Sequence, residues 1–238
     1  MTQTIGAIDR RKLLMGSAAI ATIGVAGSII YTLVRPAPRA EADARRPRRQ
    51  RKAVKDVSQE ELLKQGALPD LVIGNADAPV TIVEYASMTC NHCANFHNTV
   101  LPALKEKYID SGKVRLVFRE FPLDERAALA SMMARCAGDD KSMPLISMLF
   151  AKQDEWASAK QDFLPKLFKF GQQVGVTKTA FDRCRQDEKL LKSLIAVRDR
   201  GNASFGVSST PTFFINGKRF EGGSVEEFEK VLAPLVKS

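Results

Sequence analysis

No glycine-rich loop that could cradle a phosphate and no internal repeat is found along these 238 residues. Nucleotide-driven chemistry therefore has no site, and a solenoid architecture has no period. No serine-hydrolase or paired-carboxylate constellation is present either. Cysteine is sparse: the four are Cys90, Cys93, Cys136 and Cys184. Only the first two are closely spaced, so the doubled short spacing of a four-cysteine zinc site is missing, and neither a metal nor a cofactor is expected. An even number of cysteines suits an oxidising compartment. Net charge is absent from most of the chain as well. Of 36 Lys+Arg and 27 Asp+Glu, residues 1–55 hold 12 and 3, so residues 56–238 carry 24 of each and are neutral. The +9 overall belongs to the leader, and nucleic-acid binding by the remainder loses its main support.

What is present begins with a span. Leu13–Val34 is 22 residues without a charge, preceded by Asp9-Arg10-Arg11-Lys12, and is long enough to cross a bilayer. Arg10-Arg11 followed by Leu13-Leu14 resembles a bacterial twin-arginine export signal, although Asp9 and Met15 depart from its usual flanks. Residues 1–34 are read as a signal or anchor. Pro38-Arg39-Ala40 is a poor cleavage site, which favours an uncleaved anchor over a cleaved leader. The eight basic residues of Arg35–Lys52, against three before the span, argue for a cytoplasmic tract. Receptor-read export and the four cysteines argue for the outside, and export is the reading adopted. Residues 35–67 read as a basic, disordered linker ending in a short helix, with Ser58 and Glu61 as a capping box and Gly66 as the stop.

The centre of the chain is Val80-Thr-Ile-Val-Glu-Tyr-Ala-Ser-Met-Thr-Cys-Asn-His-Cys93. Val80, Ile82, Val83 and Tyr85 predict a buried strand, and Phe96, Val100, Leu104 and Tyr108 follow at helical spacing. Cys90 therefore falls at a helix start, where unpaired N–H groups and the macrodipole favour a thiolate by up to ~2 kcal/mol, about 1.5 pKa units. It is the candidate nucleophile. His92, between the two cysteines, is expected to stabilise that thiolate further. Glu84 is a carboxyl inside an otherwise apolar strand. Desolvation favours its neutral form, which fits it to exchange a proton with Cys93; an exposed position on an edge strand is the alternative.

Further on, Pro102 is expected to kink or break the helix, and Lys113–Phe121 alternates as a strand. A helical block occupies about 124–204. Strand signals return at Thr212–Ile215, the turn Asn216-Gly217 and Lys218–Phe220, before a helix from Ser224.

This order, with Cys90-Asn91-His92-Cys93, Glu84 six residues ahead, Arg119-Glu120-Phe121-Pro122, and Gly206 through Thr210-Pro211-Thr212 to Gly217, resembles the DsbA-like thiol:disulfide oxidoreductases of the thioredoxin superfamily. The likeness covers roughly 68–238. It implies an α/β thioredoxin fold with an inserted helical domain and a cis Thr210–Pro211 bond beside the active-site cysteines. Backbone groups there would pair with an extended substrate chain. It also implies a bacterial periplasmic location, reduced protein thiols as substrates, and reoxidation by a quinone-linked membrane partner. Asn91 departs from the proline common in strongly oxidising members, which bears on the redox potential. Cys136 and Cys184 are expected to form a structural disulfide worth up to ~4 kcal/mol for a loop of roughly 50 residues, with two buried thiols as the alternative. The functional expectation is a disulfide donor. A reductase or isomerase running the same exchange in reverse, and a redox-silent, membrane-anchored peptide-binding module, are the competing readings.

Overall fold

The computed structural model of the protein describes residues 56–157 and 162–236. The expected membrane segment and the basic tract after it lie outside the described residues, apart from the short helix. Among the described residues no helix is long and apolar enough to cross a membrane.

That short helix, α1 (Gln59–Leu63), starts where Ser58 Oγ accepts the Glu61 N–H at 3.4 Å. Strands β1 (Leu71–Ile73) and β2 (Val80–Ala86) follow. A helical stretch then runs over 91–109, containing α2 (Asn91–Asn95) and α3 (Leu101–Leu104). After β3 (Val114–Glu120) come six helices: α4 (Glu125–Cys136), α5 (Asp139–Ala151), α6 (Gln153–Trp156), α7 (Phe163–Gln173), α8 (Lys178–Cys184) and α9 (Glu188–Phe205). The hairpin β4 (Thr212–Ile215) and β5 (Lys218–Phe220) and helix α10 (Val225–Leu235) complete the fold. Ser224 and Glu227 form a reciprocal capping box at the start of α10.

The five strands lie in the order β1-β3-β2-β4-β5; β2 and β3 run parallel, and the other pairs are antiparallel. Central β2 is buried at every position, as its continuous apolar run requires. Val80 and Ile82 pack with Phe96, Val100, Leu104 and Phe228, under 91–109 and α10. Val83 and Tyr85 pack with Leu62, Phe205 and Phe214, under α1 and α9. Each such side chain contributes about 2 kcal/mol by leaving water, and the period of two then puts Glu84 on the Val80/Ile82 face, towards the helix that carries the cysteines. Helix α9 comes so close that a Cβ on Gly201 would meet Tyr85 Cε1 at 2.8 Å.

The helical insert has its own core around Leu145, Leu149, Trp156, Leu167 and Phe181. Cys136, ending α4, is bonded to Cys184, ending α8.

Glu84 is buried, as expected, and the edge-strand alternative falls, since its register partners are Phe118 on β3 and Phe213 on β4. Two features depart from the expectations. Pro102 does not end its helix. It sits in the first turn of α3, between π-helical turns at Phe96–Val100 and Lys105–Ile109. The wider turns shift the hydrogen-bond register, which accommodates the missing N–H and lets the helix continue. Strand β1 was not foreseen, since three residues are too few to display a period.

Candidate active site

Strand β2 ends at Ala86, and a short turn, closed by the Cys90 N–H donating to the Ser87 carbonyl at 3.1 Å, delivers Cys90 to the N-cap of α2. Its backbone is extended, with φ −86° and ψ 117°, and its Sγ accepts the Cys93 N–H at 3.3 Å. A cysteine thus fills the position usually held by Ser, Thr or Asp. The turn is clamped from the insert by buried Gln153, whose Nε2 donates to the carbonyls of Met88 at 2.9 Å and Cys90 at 3.2 Å. Thr89 is held by Asp124, the N-cap of α4, at 2.9 Å.

The two cysteines are free thiols with opposite environments. Cys90 keeps 9% of its surface exposed and Cys93 none, so an incoming sulfur reaches Cys90 alone. Hydrogen bonding by the Cys93 thiol, opposed by burial and helped by the Thr210 side chain and the backbone N–H groups of Cys93 and His92, holds the Cys90 thiol down to about 6. Near neutral pH Cys90 is a thiolate. Burial first, then the hydrogen bond to Cys90 and the Glu84 carboxylate, push Cys93 well above the ordinary thiol range, so it keeps its proton.

Pro211 lies beside this pair through a cis Thr210–Pro211 bond. The Cys90 thiol, when protonated, donates to the Thr210 carbonyl at 3.3 Å. A thiolate cannot donate. The Thr210 side chain, its hydroxyl oxygen buried and without another partner, then favours the anion. Ser208 and Ser209 are exposed just ahead of the proline, leaving backbone for an extended chain to pair with.

His92 is exposed, and its backbone N–H is the smallest of the named influences on Cys90. Sequence reasoning missed His97 instead. It is one helical turn beyond Cys93, on the face turned to the sheet, and its Nε2 lies 2.9 Å from Glu84 Oε2 with both side chains almost fully buried. The ring stacks on Phe150 at 4.3 Å between centroids. The signal available was its spacing, four residues after Cys93 and three before Val100 on an apolar stripe.

Chemically, this is a dithiol with one marginally accessible, ionised sulfur and one fully buried, protonated sulfur, next to a carboxyl and an imidazole. A family model described as Thioredoxin matches residues 67–233. The crystal structure of Wolbachia pipientis alpha-DsbA1 superposes with a TM-score of 0.69 at 31% identity, covering 76% of this chain and 96% of that one. The structure of BdbD from Bacillus subtilis, at 21% identity and a TM-score of 0.62, shares the fold. A Rickettsia bellii protein named as a candidate protein-disulfide oxidoreductase is 37% identical over 168 residues, a match that spans 71% of this chain and 65% of that protein's length. The helical insert in a thioredoxin sheet, the Cys90/Cys93 helix start and these matches carry one conclusion: the chain belongs to the thioredoxin family, in its DsbA-like form.

Proposed function

We propose that the protein is a thiol-disulfide oxidoreductase that donates the Cys90–Cys93 disulfide to exported proteins during oxidative folding. A substrate thiolate attacks Cys90 Sγ. The Cys90–Cys93 bond breaks, and Cys93 leaves with the electron pair and takes up a proton, for which Glu84 is the nearby acid. A second substrate thiolate then attacks the substrate sulfur of the mixed disulfide and releases the Cys90 thiolate. The substrate has lost two electrons and gained a disulfide; the enzyme is left as the dithiol.

The observation that carries this reading is the place of Cys90 at the N-cap of α2, its sulfur accepting the Cys93 N–H at 3.3 Å, with the thiol held at about 6. A stabilised thiolate stabilises the reduced form, is the better leaving group, and makes the disulfide more oxidising. Thr210 and Pro211 serve as the substrate-binding edge, and His92 assists from the rim. Residues 68–238 form the catalytic unit, with 124–204 as its insert and 35–67 as its tether. Residues 1–34 would hold it in the inner membrane facing the periplasm, beside a quinone-linked reoxidase.

The test is a redox titration of the full chain in glutathione buffers, with thiol alkylation reporting the state of Cys90 and Cys93. A donor is reduced in buffers where protein disulfide isomerase, at about −180 mV, is still largely oxidised, each ~30 mV being tenfold in the equilibrium constant. A pair that stays disulfide-bonded in strongly reducing buffer reverses the direction to reductase. For topology, alkaline phosphatase fused after Ser238 is expected to be active; an inactive fusion with an active cytoplasmic reporter overturns export.

A further inference from the structure

The turn that carries Cys90 is gripped by the helical insert at two points. One is Asp124 at the start of α4, whose Oδ2 accepts the Thr89 hydroxyl at 2.9 Å. The other is Gln153, which opens α6 and is 6% exposed. Its Nε2 carries two hydrogens and faces two acceptors, the Met88 carbonyl at 2.9 Å and the Cys90 carbonyl at 3.2 Å. A break in the insert aims it there: α5 gives way to α6 at Lys152, whose φ of −116° and ψ of 24° depart from helical values. Buried Trp156 holds the break closed, its Nε1 donating to the Leu149 carbonyl at 2.9 Å, and Asn98 donates to the Phe150 carbonyl at 3.2 Å. Arg126 ties the two grips together, with Nη1 on the Ala157 carbonyl at 2.7 Å and Nη2 3.5 Å from Asp124 Oδ2. The Cys90 carbonyl also accepts the Ala94 N–H at 3.0 Å. The peptide after Cys90 is thus fixed along the helix by Ala94 and across it by Gln153.

We infer that Gln153 is a positioning residue: by holding the Met88 and Cys90 carbonyls it fixes the N-cap geometry in which the Cys90 sulfur accepts the Cys93 N–H, and so sets the reactivity of that sulfur from the insert. This role rests on the thiol-disulfide exchange proposed above, to which it adds the insert as a working part. The orientation of the peptide after Cys90 is the ψ of Cys90, 117°, and that extended value leaves Sγ 3.3 Å from the Cys93 N–H. Without the Nε2 donor two carbonyls lose a partner, and the turn regains one by rotating, which lengthens and bends the bond to sulfur. The thiolate is then held less well, so the disulfide is less oxidising and Cys90 a poorer leaving group. A glutamine suits the place because a neutral amide donates twice and adds no charge beside the sulfur. It stays a neutral amide in both redox states, and the exchange runs from sulfur to sulfur without it.

The experiment compares, in the full chain, Gln153→Met, which keeps the length of the side chain and removes the donor, with Ser142→Ala. Ser142 is buried too, but its hydroxyl bonds the Ala134 and Gly138 carbonyls within the insert, away from the cysteines. Both variants are expected to unfold at lower denaturant. Gln153→Met alone is expected to raise the titration of Cys90, read by thiolate absorbance of the dithiol form, by about half a unit, and to shift the glutathione equilibrium about threefold towards the disulfide form. Arg126→Met loosens the tie between the two grips without touching the turn, and a shift of about twofold in the same direction is expected. If Gln153→Met does not fold, Arg126→Met decides. A folded variant that loses stability yet titrates and equilibrates as the wild type does overturns the inference, as does a shift in Ser142→Ala equal to that of Gln153→Met. In both cases exchange by the wild type stands. A wild type that does not exchange with dithiothreitol at all overturns the oxidoreductase reading instead.

Discussion

The chain's two cysteine pairs sit in one molecule and are built for opposite ends. Cys90 and Cys93 are three residues apart, at the start of a helix that abuts the central strand; Cys136 and Cys184 are separated by 48 residues and tie the ends of two insert helices. In the first pair one sulfur is reachable, accepts the Cys93 N–H at 3.3 Å and has the Cys93 thiol and the Thr210 side chain favouring its anion, although the Thr210 carbonyl also lies 3.3 Å away. In the second, Cys184 is buried with Met132 and Leu194, and a carbonyl, that of Met132, lies 3.1 Å from its sulfur. Donors favour an anion at Cys90, whereas the sulfurs of the second pair are bonded to each other and do not titrate. Reactivity here comes from what surrounds the sulfur, and stability from how much chain the bond closes.

The sharpest way to break that contrast is to disable each pair in turn. Cys90→Ser is expected to abolish reduction of the site by dithiothreitol and all oxidation of a reduced test protein, with the fold kept, as read by circular dichroism. Cys136→Ala/Cys184→Ala is expected to keep the exchange rate within about twofold, but to lower unfolding stability by about 4 kcal/mol in denaturant titration, the chain-entropy value for a loop of this length. Should the double variant lose exchange as well, the pairs are coupled and the contrast fails.

A pH titration sharpens it. The folded Cys90 thiol sits at about 6 and an unfolded cysteine near ~8.5, so between these values the unfolded dithiol chain binds more protons. The folded dithiol form therefore gains stability as pH rises from about 6 towards ~8.5, and loses it as pH falls through about 6. Cys90→Ser is expected to flatten that slope, and the Cys136/Cys184 variant to leave it. The smallest change expected is that of Thr210→Val: without its hydroxyl the Cys90 thiol should titrate about one unit higher, the worth of one hydrogen bond to a charge, measured by thiolate absorbance.

Much of this was legible in the order of residues. Ser58 and Ser224, each with Glu three places on, announce their helices, and the run Val80–Tyr85 into Cys90 places a sulfur on a helix N-cap because strand and helix periods meet there. What could not be read were effects of the third dimension. His97 looks like one more polar residue on a helix until the sheet brings Glu84 beneath it. Gln153 reaches the Cys90 carbonyl across 63 residues of chain, a distance no local pattern encodes. Pro102 gave a correct local warning that the surrounding turns absorbed by widening.

The backbone bond at Val57 has a consequence for where the sheet is held. Val57 N–H donates to the Gly217 carbonyl at 3.2 Å, and the approach is so tight that a Cβ on Gly217 would lie 2.5 Å from the Val57 oxygen. Gly217 is in the hairpin at the far end of β4, whereas Thr210–Pro211 precedes its near end. Strand β4 spans roughly 13 Å at ~3.3 Å per residue. A pull on the chain at Val57 is thus taken up at the hairpin end of β4, opposite the end that Thr210–Pro211 holds beside Cys90.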